Sequence, residues 1–250
     1  MQTLVFQLQG PMAAWGESAV GGYRPSASYP GKSALAGLLG AAMGLRREED
    51  ASQLHALHDL YRFAVAIKEE GRLLRDYHTS QVASQSALKK RPHASRRDEL
   101  NVPQEDVNTI LSTRDYRSNG NWLVAVQAMD DAPYSLDILA ERLKQPRFVL
   151  YLGRKSCPPA APLFPHVVEV ETVHQAFARF DALLQQAWVT AGNPEQATTP
   201  IRKLAWEDGM SMGVEHDLST WRKDRLIHRG NWQFGDRMEL IATMDLEQED

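Results

Sequence analysis

With a single cysteine, Cys157, in 250 residues, the chain has no internal disulfide, and that thiol cannot build a zinc site by itself. No apolar run reaches membrane-spanning length, and residues 1–9 lack the basic opening of a signal peptide and read as a strand. The expected location is therefore the cytoplasm. Positive charge is not in excess either. A formal net charge of -4 excludes a globally basic nucleic-acid binder, so any such function must sit on a local patch. There is no internal repeat. His55 and His58 stand one helical turn apart without a cysteine or carboxylate at ligand spacing, so they read as solvated helix histidines, and neither a metal nor a cofactor is expected. Gly31-Lys32-Ser33 is not a nucleotide-binding loop: the glycine needed five positions before Gly31 is Ser26, and Pro30 stands where a flexible turn belongs.

The densest chemistry lies in residues 10–44. Before it, Leu4, Phe6 and Leu8 alternate with Val5, Gln7 and Gln9, a strand pattern that stops at Gly10-Pro11. The loop that follows carries rings and cations together: Trp15, Tyr23, Arg24, Tyr29 and Lys32. Rings that stack on bases, interleaved with cations that meet phosphates, are what a single-stranded nucleic-acid surface requires. Leu35, Leu38, Leu39 and Ala42 then predict a helix, with a second, small-residue face of Gly37, Gly40, Ala41 and Gly44, both faces expected to be buried. Ser33 is the expected N-cap, and the first-turn N–H groups with Lys32 can hold a phosphate.

Further on, Leu54, Leu57, His58 and Tyr61 predict a short helix. Phe63, Val65 and Ile67 predict a strand closed by a turn at Glu69-Glu70-Gly71. Arg75-Asp76-Tyr77-His78-Thr79 forms a second cluster. Residues 80–119 are polar and weakly periodic, a connection too long to be an ordinary loop. From Arg72 to Arg97 there are seven lysines and arginines against one acid, Asp76, which reads either as a mobile solvated loop or as an arm ordered by RNA. Residues 121–126 predict a strand. Ser135 caps a helix of Leu136, Leu139, Ala140 and Leu143, and 148–152 resumes a strand. A third cluster, Tyr151-Leu152-Gly153-Arg154-Lys155-Ser156-Cys157-Pro158-Pro159, suits a tight loop along a phosphate backbone; Cys157, with no base beside it, reads as a structural thiol rather than a nucleophile. Beyond it come a strand at 166–173, an amphipathic helix of Ala176, Phe177, Phe180, Leu183, Leu184 and Ala187, a linker at 191–200 and strands near 204–206 and 232–241. A basic run of Arg222, Lys223 and Arg225 and an acidic tail at 245–250 complete the chain. The fold class is α+β: an RRM or ferredoxin-like N-terminal region, 1–164, with a long β-hairpin inserted at about 80–119, and a smaller, mainly β region at 165–250.

Taken together the three clusters resemble a known family. Gly10-Pro11-Met12 with Trp15-Gly16, Arg24-Pro25, Pro30 with Lys32-Ser33, then Leu74-Arg75-Asp76-Tyr77-His78-Thr79, then residues 151–158, are similar in order to the CasD family of CRISPR-associated RAMP proteins, of the subtype I-E Cascade kind. The resemblance implies an RRM-like domain that binds the 5′ handle of the crRNA, caps one end of the Cascade backbone and wedges a thumb hairpin into the RNA. The implied partners are the crRNA, the backbone subunit, the large subunit and, indirectly, target DNA. The RNA-contacting candidates are Trp15, Arg24, Lys32 and Ser33; Arg75, Tyr77 and His78; Lys89, Lys90 and Arg91 in the arm; and Tyr151, Arg154, Lys155 and Ser156. By position in the family pattern, Arg114 and Tyr151 take a phosphate or base edge and a stacked base.

Some relatives in another subtype cut precursor RNA without a metal, which needs a general base, an acid and cations around the phosphorane. His78, Tyr77, Tyr23 and Lys32 are the residues that would supply them. The resemblance implies a binder and not an enzyme; the alternative is a metal-independent endoribonuclease, and a third reading is a scaffold whose basic arm touches only protein.

Overall fold

A computed structural model of the chain describes residues 1–17, 19, 21–89, 91–193, 199–228 and 233–244. In order, the elements are β1 (Gln2–Ala13), β2 (Trp15–Gly16), β3 (Tyr23–Arg24), β4 (Ser26–Ala27), α1 (Lys32–Met43), α2 (Ala51–Asp59), β5 (Tyr61–Glu69) and β6 (Arg72–Ala83). Then come α3 (Gln85–Leu88), α4 (Arg96–Leu100), β7 (Val107–Ala128), α5 (Leu136–Lys144), β8 (His166–Glu169), α6 (Val173–Thr190), β9 (Lys203–Glu207), β10 (Leu218–His228) and β11 (Gln233–Thr243). Lys90, Trp232, residues 194–198 of the expected linker and the acidic tail 245–250 lie outside the described residues.

The architecture is mixed α/β around one large antiparallel sheet ordered β10-β11-β9-β5-β7-β1-β8. Strand alternation divides the core in two. Leu4, Phe6, Leu8, Phe63, Val65, Ile67, Trp122, Val124 and Val126 face a layer formed by α1, α2 and α5. Val5, Ala64, Ala66, Leu123 and Ala125 face α6, whose Val173, Ala176, Phe177, Phe180 and Leu184 make the stripe predicted by their spacing. Burying a large apolar side chain contributes about 1.5–3 kcal/mol, so filling both faces is what holds the central strands. The C-terminal strands extend this sheet, with β9 pairing β5 and β11 pairing β9.

β7 is much longer than the sheet it crosses. Its C-terminal half lies between β1 and β5, while its N-terminal half leaves the body and pairs with β6 from Arg72↔Ser118 to Ala83↔Val107. The turn expected at residues 69–71 does not reverse the chain. Glu69 opposes Asn121 and Arg72 opposes Ser118, so β6 carries on along the same partner through a bulge at the end of β5. Gly71 allows this with φ +73; a Cβ there would stand 2.7 Å from the Ser118 carbonyl oxygen. The hairpin thus begins at Arg72, earlier than expected, and α3 and α4 sit at its far end.

The strand expected at 148–152 is absent because its backbone donors are used elsewhere. The Arg147 and Phe148 N–H groups donate to the α1 carbonyls of Ala42 and Ala41 at 3.0 and 3.1 Å, and the Leu152 N–H donates to Cys157 at 2.7 Å. His58 departs from expectation too: it is buried rather than solvated, at 2% exposure.

Candidate nucleic-acid interface

The loop after β1 is held down by its rings. Trp15 is 2% exposed and meets Trp122 edge to face at 5.2 Å, so it is a core residue and offers no open face for a base. Its backbone N–H donates to Ser26 Oγ at 3.0 Å, and β2 pairs with β4, which closes the loop on itself.

Lys32 and Ser33 also differ from expectation. The N-cap of α1 is Gly31, and no side chain caps the helix from that position. Instead Asp224, from β10, accepts the Lys32 backbone N–H at 2.7 Å, placing a carboxylate where a phosphate was anticipated. The Lys32 ammonium is buried and donates to Glu207 at 2.7 Å. Lys32 is therefore unavailable to RNA, and Ser33 lies on the first turn without the cap role.

Tyr23 and Arg75 are joined to Asp115 within the hairpin. The Tyr23 hydroxyl donates to Asp115 Oδ2 at 2.7 Å; Arg75 donates from Nε to Oδ1 at 2.8 Å and from Nη2 to Oδ2 at 3.0 Å. The hydrogen bonds from Arg75 hold the Asp115 carboxyl below its usual range, and the bond to Asp115 raises the Tyr23 phenol. The four residues proposed for catalysis do not converge. Lys32 is buried, Tyr23 is committed to Asp115, and neighbouring Tyr77 and His78 point to opposite faces of β6.

Register separates the hairpin into two faces. One carries Tyr23, Arg75, Tyr77, Thr113 and Asp115. The other carries Leu74, Asp76, His78, Ser112, Arg114 and Tyr116, with Arg24 beside Arg114 through the parallel β3–β7 pairing. Asp76, opposite Arg114, is the acid on that face. Arg154 lies over the Tyr116 ring at 4.7 Å and donates to the Arg24 and Asp115 carbonyl oxygens, both at 3.4 Å.

Arg24 and Arg154 also line a groove of about 880 Å³ that continues from this second face. Its floor includes Ala34, Gly37 and Ala41 of α1. Of the small-residue face expected to be buried, Gly37 is exposed and an added Cβ there would meet nothing within 4 Å, whereas Gly40 packs against Leu54 and Gly44 against Arg147. Ser33, Tyr151, Lys155 and Gly153 complete the side shared with the third cluster. The turn at 151–157 is tight: the Cys157 N–H donates to the Arg154 carbonyl at 2.9 Å, and Gly153 has φ +87 with Ala14 O only 1.8 Å from where a Cβ would be. Cys157 is fully buried, and burial pushes its thiol up, away from nucleophilic character. Ser156 is exposed beside the groove. Lys89 and Arg91 are exposed at the far end of the hairpin, away from this surface; Lys90 lies outside the described residues.

A family model described as CRISPR-associated protein (Cas_Cas5) matches residues 3–237. The chain belongs to the Cas5 family. This Cas5-family chain is 32% identical over 186 residues to the CRISPR system Cascade subunit CasD of Escherichia coli (strain K12), a match covering 71% of this chain and 76% of the relative. Among solved structures it is similar to a chain of a CRISPR RNA-guided surveillance complex, with TM-score 0.63 and 22% identity over 96% of this chain and 89% of that one. A crystal structure of a Cas protein matches with TM-score 0.56 and 23% identity, over 96% and 94% of the two chains.

The groove also contains residues of the Cas5-family chain that reading by sequence cluster missed: Arg47, His58, Phe148, Val149 and Phe234. Arg47 falls in a charged turn just past the Gly44 cap of α1, and Phe234 arrives from β11. Phe148 and Val149 carried the only local signal, two bulky apolar residues before the third cluster; the structure leaves Val149 84% exposed.

Proposed function

We propose that this Cas5-family chain is the Cascade subunit that binds the repeat-derived 5′ handle of a crRNA and does not cut it. The observation that carries the reading is the continuity of one surface: Arg24 and Arg154 belong both to the groove, with Tyr151 and Lys155, and to the hairpin face, with Arg114. A floor of small residues at Ala34, Gly37 and Ala41, a ring at its wall and cations at its rim suit a splayed single strand, with bases stacked and phosphates neutralised. In this reading β1-α1-β5 and β7-α5-β8 are the RRM-like units, and the root of the β6–β7 hairpin is the thumb that wedges the RNA. The molecule is then cytoplasmic and meets the backbone and large subunits of Cascade. Scattering of the would-be catalytic residues over two hairpin faces and a buried ion pair supports binding without cleavage.

The test incubates purified full-length protein with labelled repeat RNA in chelator, each sample divided between native and denaturing gels. The RNA should shift and remain intact. Arg114→Ala should weaken binding about fivefold to tenfold, and Tyr151→Ala, which removes a stacking ring worth about 1–3 kcal/mol, by about tenfold or more. A specific cut that persists in chelator and is lost in His78→Ala would instead make the chain an endoribonuclease.

A further inference from the structure

The far end of the hairpin has a different chemistry from its root. Residues 84–106 contain no Phe, Tyr or Trp, whereas the root carries Tyr23 and Tyr77 on one face and Tyr116 on the other, the face that continues into the groove with Tyr151. Between the two regions, residues 77–83 and 107–113 contain no Asp, Glu, Lys or Arg. From Asp76↔Arg114 to Ala83↔Val107 is seven register steps, or about 23 Å at ~3.3 Å per residue. A strand of RNA tracking from the groove to the tip would cross that distance with no cation to meet its phosphates.

At the tip, Lys89, Arg91 and Arg97 are exposed and make no side-chain ion pair among the described residues. The tip's acids are largely engaged. Asp98 closes the capping box of α4 with Ser95, Glu99 pairs with Arg96 at 2.6 Å, and Asp106 accepts from Ser84 at 3.2 Å. Glu105 and Asp106 stand at the tip's junction with β7, where Asp106 is held at the N-terminal end of α3. The capping box and the Ser84 cap of α3 give this end a defined backbone from which the three cations project.

We propose that the hairpin tip is a second nucleic-acid contact, separate from the groove, in which Lys89, Arg91 and Arg97 meet the phosphate backbone of a duplex. Single strands are held by rings as well as cations, and the tip has no Phe, Tyr or Trp, its one ring being His93, which is tied through Nδ1 to the Arg91 carbonyl at 3.0 Å. A duplex presents stacked, inaccessible bases and a dense line of phosphates, and three long cationic side chains without rings match that surface without reading sequence.

The test uses the full-length protein and fluorescence anisotropy with three probes: a 25-base-pair DNA duplex of arbitrary sequence, one of its strands alone, and the repeat RNA. Wild type should bind the duplex at low salt. The K89A/R91A/R97A triple variant should bind the duplex at least tenfold more weakly, with a salt slope shallower by about 3, as three lost phosphate contacts require. It should keep its repeat-RNA affinity within twofold, which also reports that it is folded. Duplex affinity and salt slope unchanged in the triple variant would overturn the proposal, as would no duplex binding by wild type at low salt, or an equal loss on the single strand. A second variant, R154A/K155A, should lose repeat RNA and keep the duplex. If it keeps the RNA, the groove reading fails while the tip result stands.

Discussion

Behind the N-terminus of α1, Lys32, Arg237, Glu207, Asp224 and Glu239 are buried together, with Arg222 partly buried beside them. Arg237 donates to Asp224 Oδ1 and Oδ2 at 2.8 and 2.9 Å and to Glu239 at 2.8 Å, and Lys32 pairs with Glu207 at 2.7 Å. Arg222 lies over the Tyr29 ring at 4.5 Å and donates to Glu239 at 3.4 Å. Burial by itself pushes the Asp224 carboxyl up; hydrogen bonds and charge from Arg237 outweigh it and leave the group below its ordinary value. Removing one member of such a set leaves the others buried without their counter-charge. Asp224→Asn should therefore lower stability at pH 7 by about 3 kcal/mol. Because the folded value is depressed, the wild-type contribution is complete above about pH 4 and is lost as pH falls through the folded value. Urea unfolding of both proteins at pH 7 and pH 3 checks this: the gap should narrow in acid, and a constant gap would mean that the charge is not what matters.

The loop at 151–157 is the element on which the proposed site depends. It is clasped to the end of β1, since the Ala14 N–H donates to Leu152 at 2.9 Å and Gly153 lies directly over the Ala14 carbonyl. This contact sets where Arg154 and Lys155 enter the groove. A left-handed residue other than glycine costs about 1–2 kcal/mol, and here the new Cβ would also strike backbone. Gly153→Ala is expected to displace the loop, lowering the melting temperature by several degrees and repeat-RNA affinity by tenfold or more. A variant with wild-type melting and wild-type RNA affinity would show that the loop position is not needed. The tight, cation-bearing turn is specified by its own residues, whereas residues 148–152 do not form the strand their pattern predicts. Its hydrophobic pattern is that of a strand, but α1 presents free C-terminal carbonyls that take the same donors.

At the scale of the whole molecule, the N-terminal and C-terminal regions share one sheet and one buried ion set. β9 covers the edge of β5, Glu207 accepts the Phe63 N–H at 2.9 Å, and Asp181 of α6 pairs with Lys68 from the opposite side of that strand. A fragment of residues 1–164 would expose the β5 edge and leave Lys32 and Lys68 without counter-ions in apolar surroundings. It should be insoluble or lack a cooperative thermal transition, measured by circular dichroism; a cooperatively melting, monomeric fragment would show that the N-terminal region folds alone.

By itself the sequence determined what depends on neighbours a few residues apart. The alternation of Leu4, Phe6 and Leu8 sets the faces of β1, Ser135 caps α5 by accepting the Ile138 N–H at 3.3 Å, and the spacing of Phe177, Phe180 and Leu184 sets the buried stripe of α6. The three clusters and their order likewise pointed to the family before any contact was known. Tertiary structure alone decided which members of those clusters face solvent. Trp15 and Lys32 have the right chemistry for RNA, yet Trp122 and Glu207, distant in sequence, take them into the core. Arg24 and Arg154, 130 positions apart, converge because β3 pairs with β7 and the Gly153 turn closes on Ala14. Periodicity is written locally because a helix or strand repeats over a few residues, whereas burial and charge pairing follow from which distant surfaces the fold brings together.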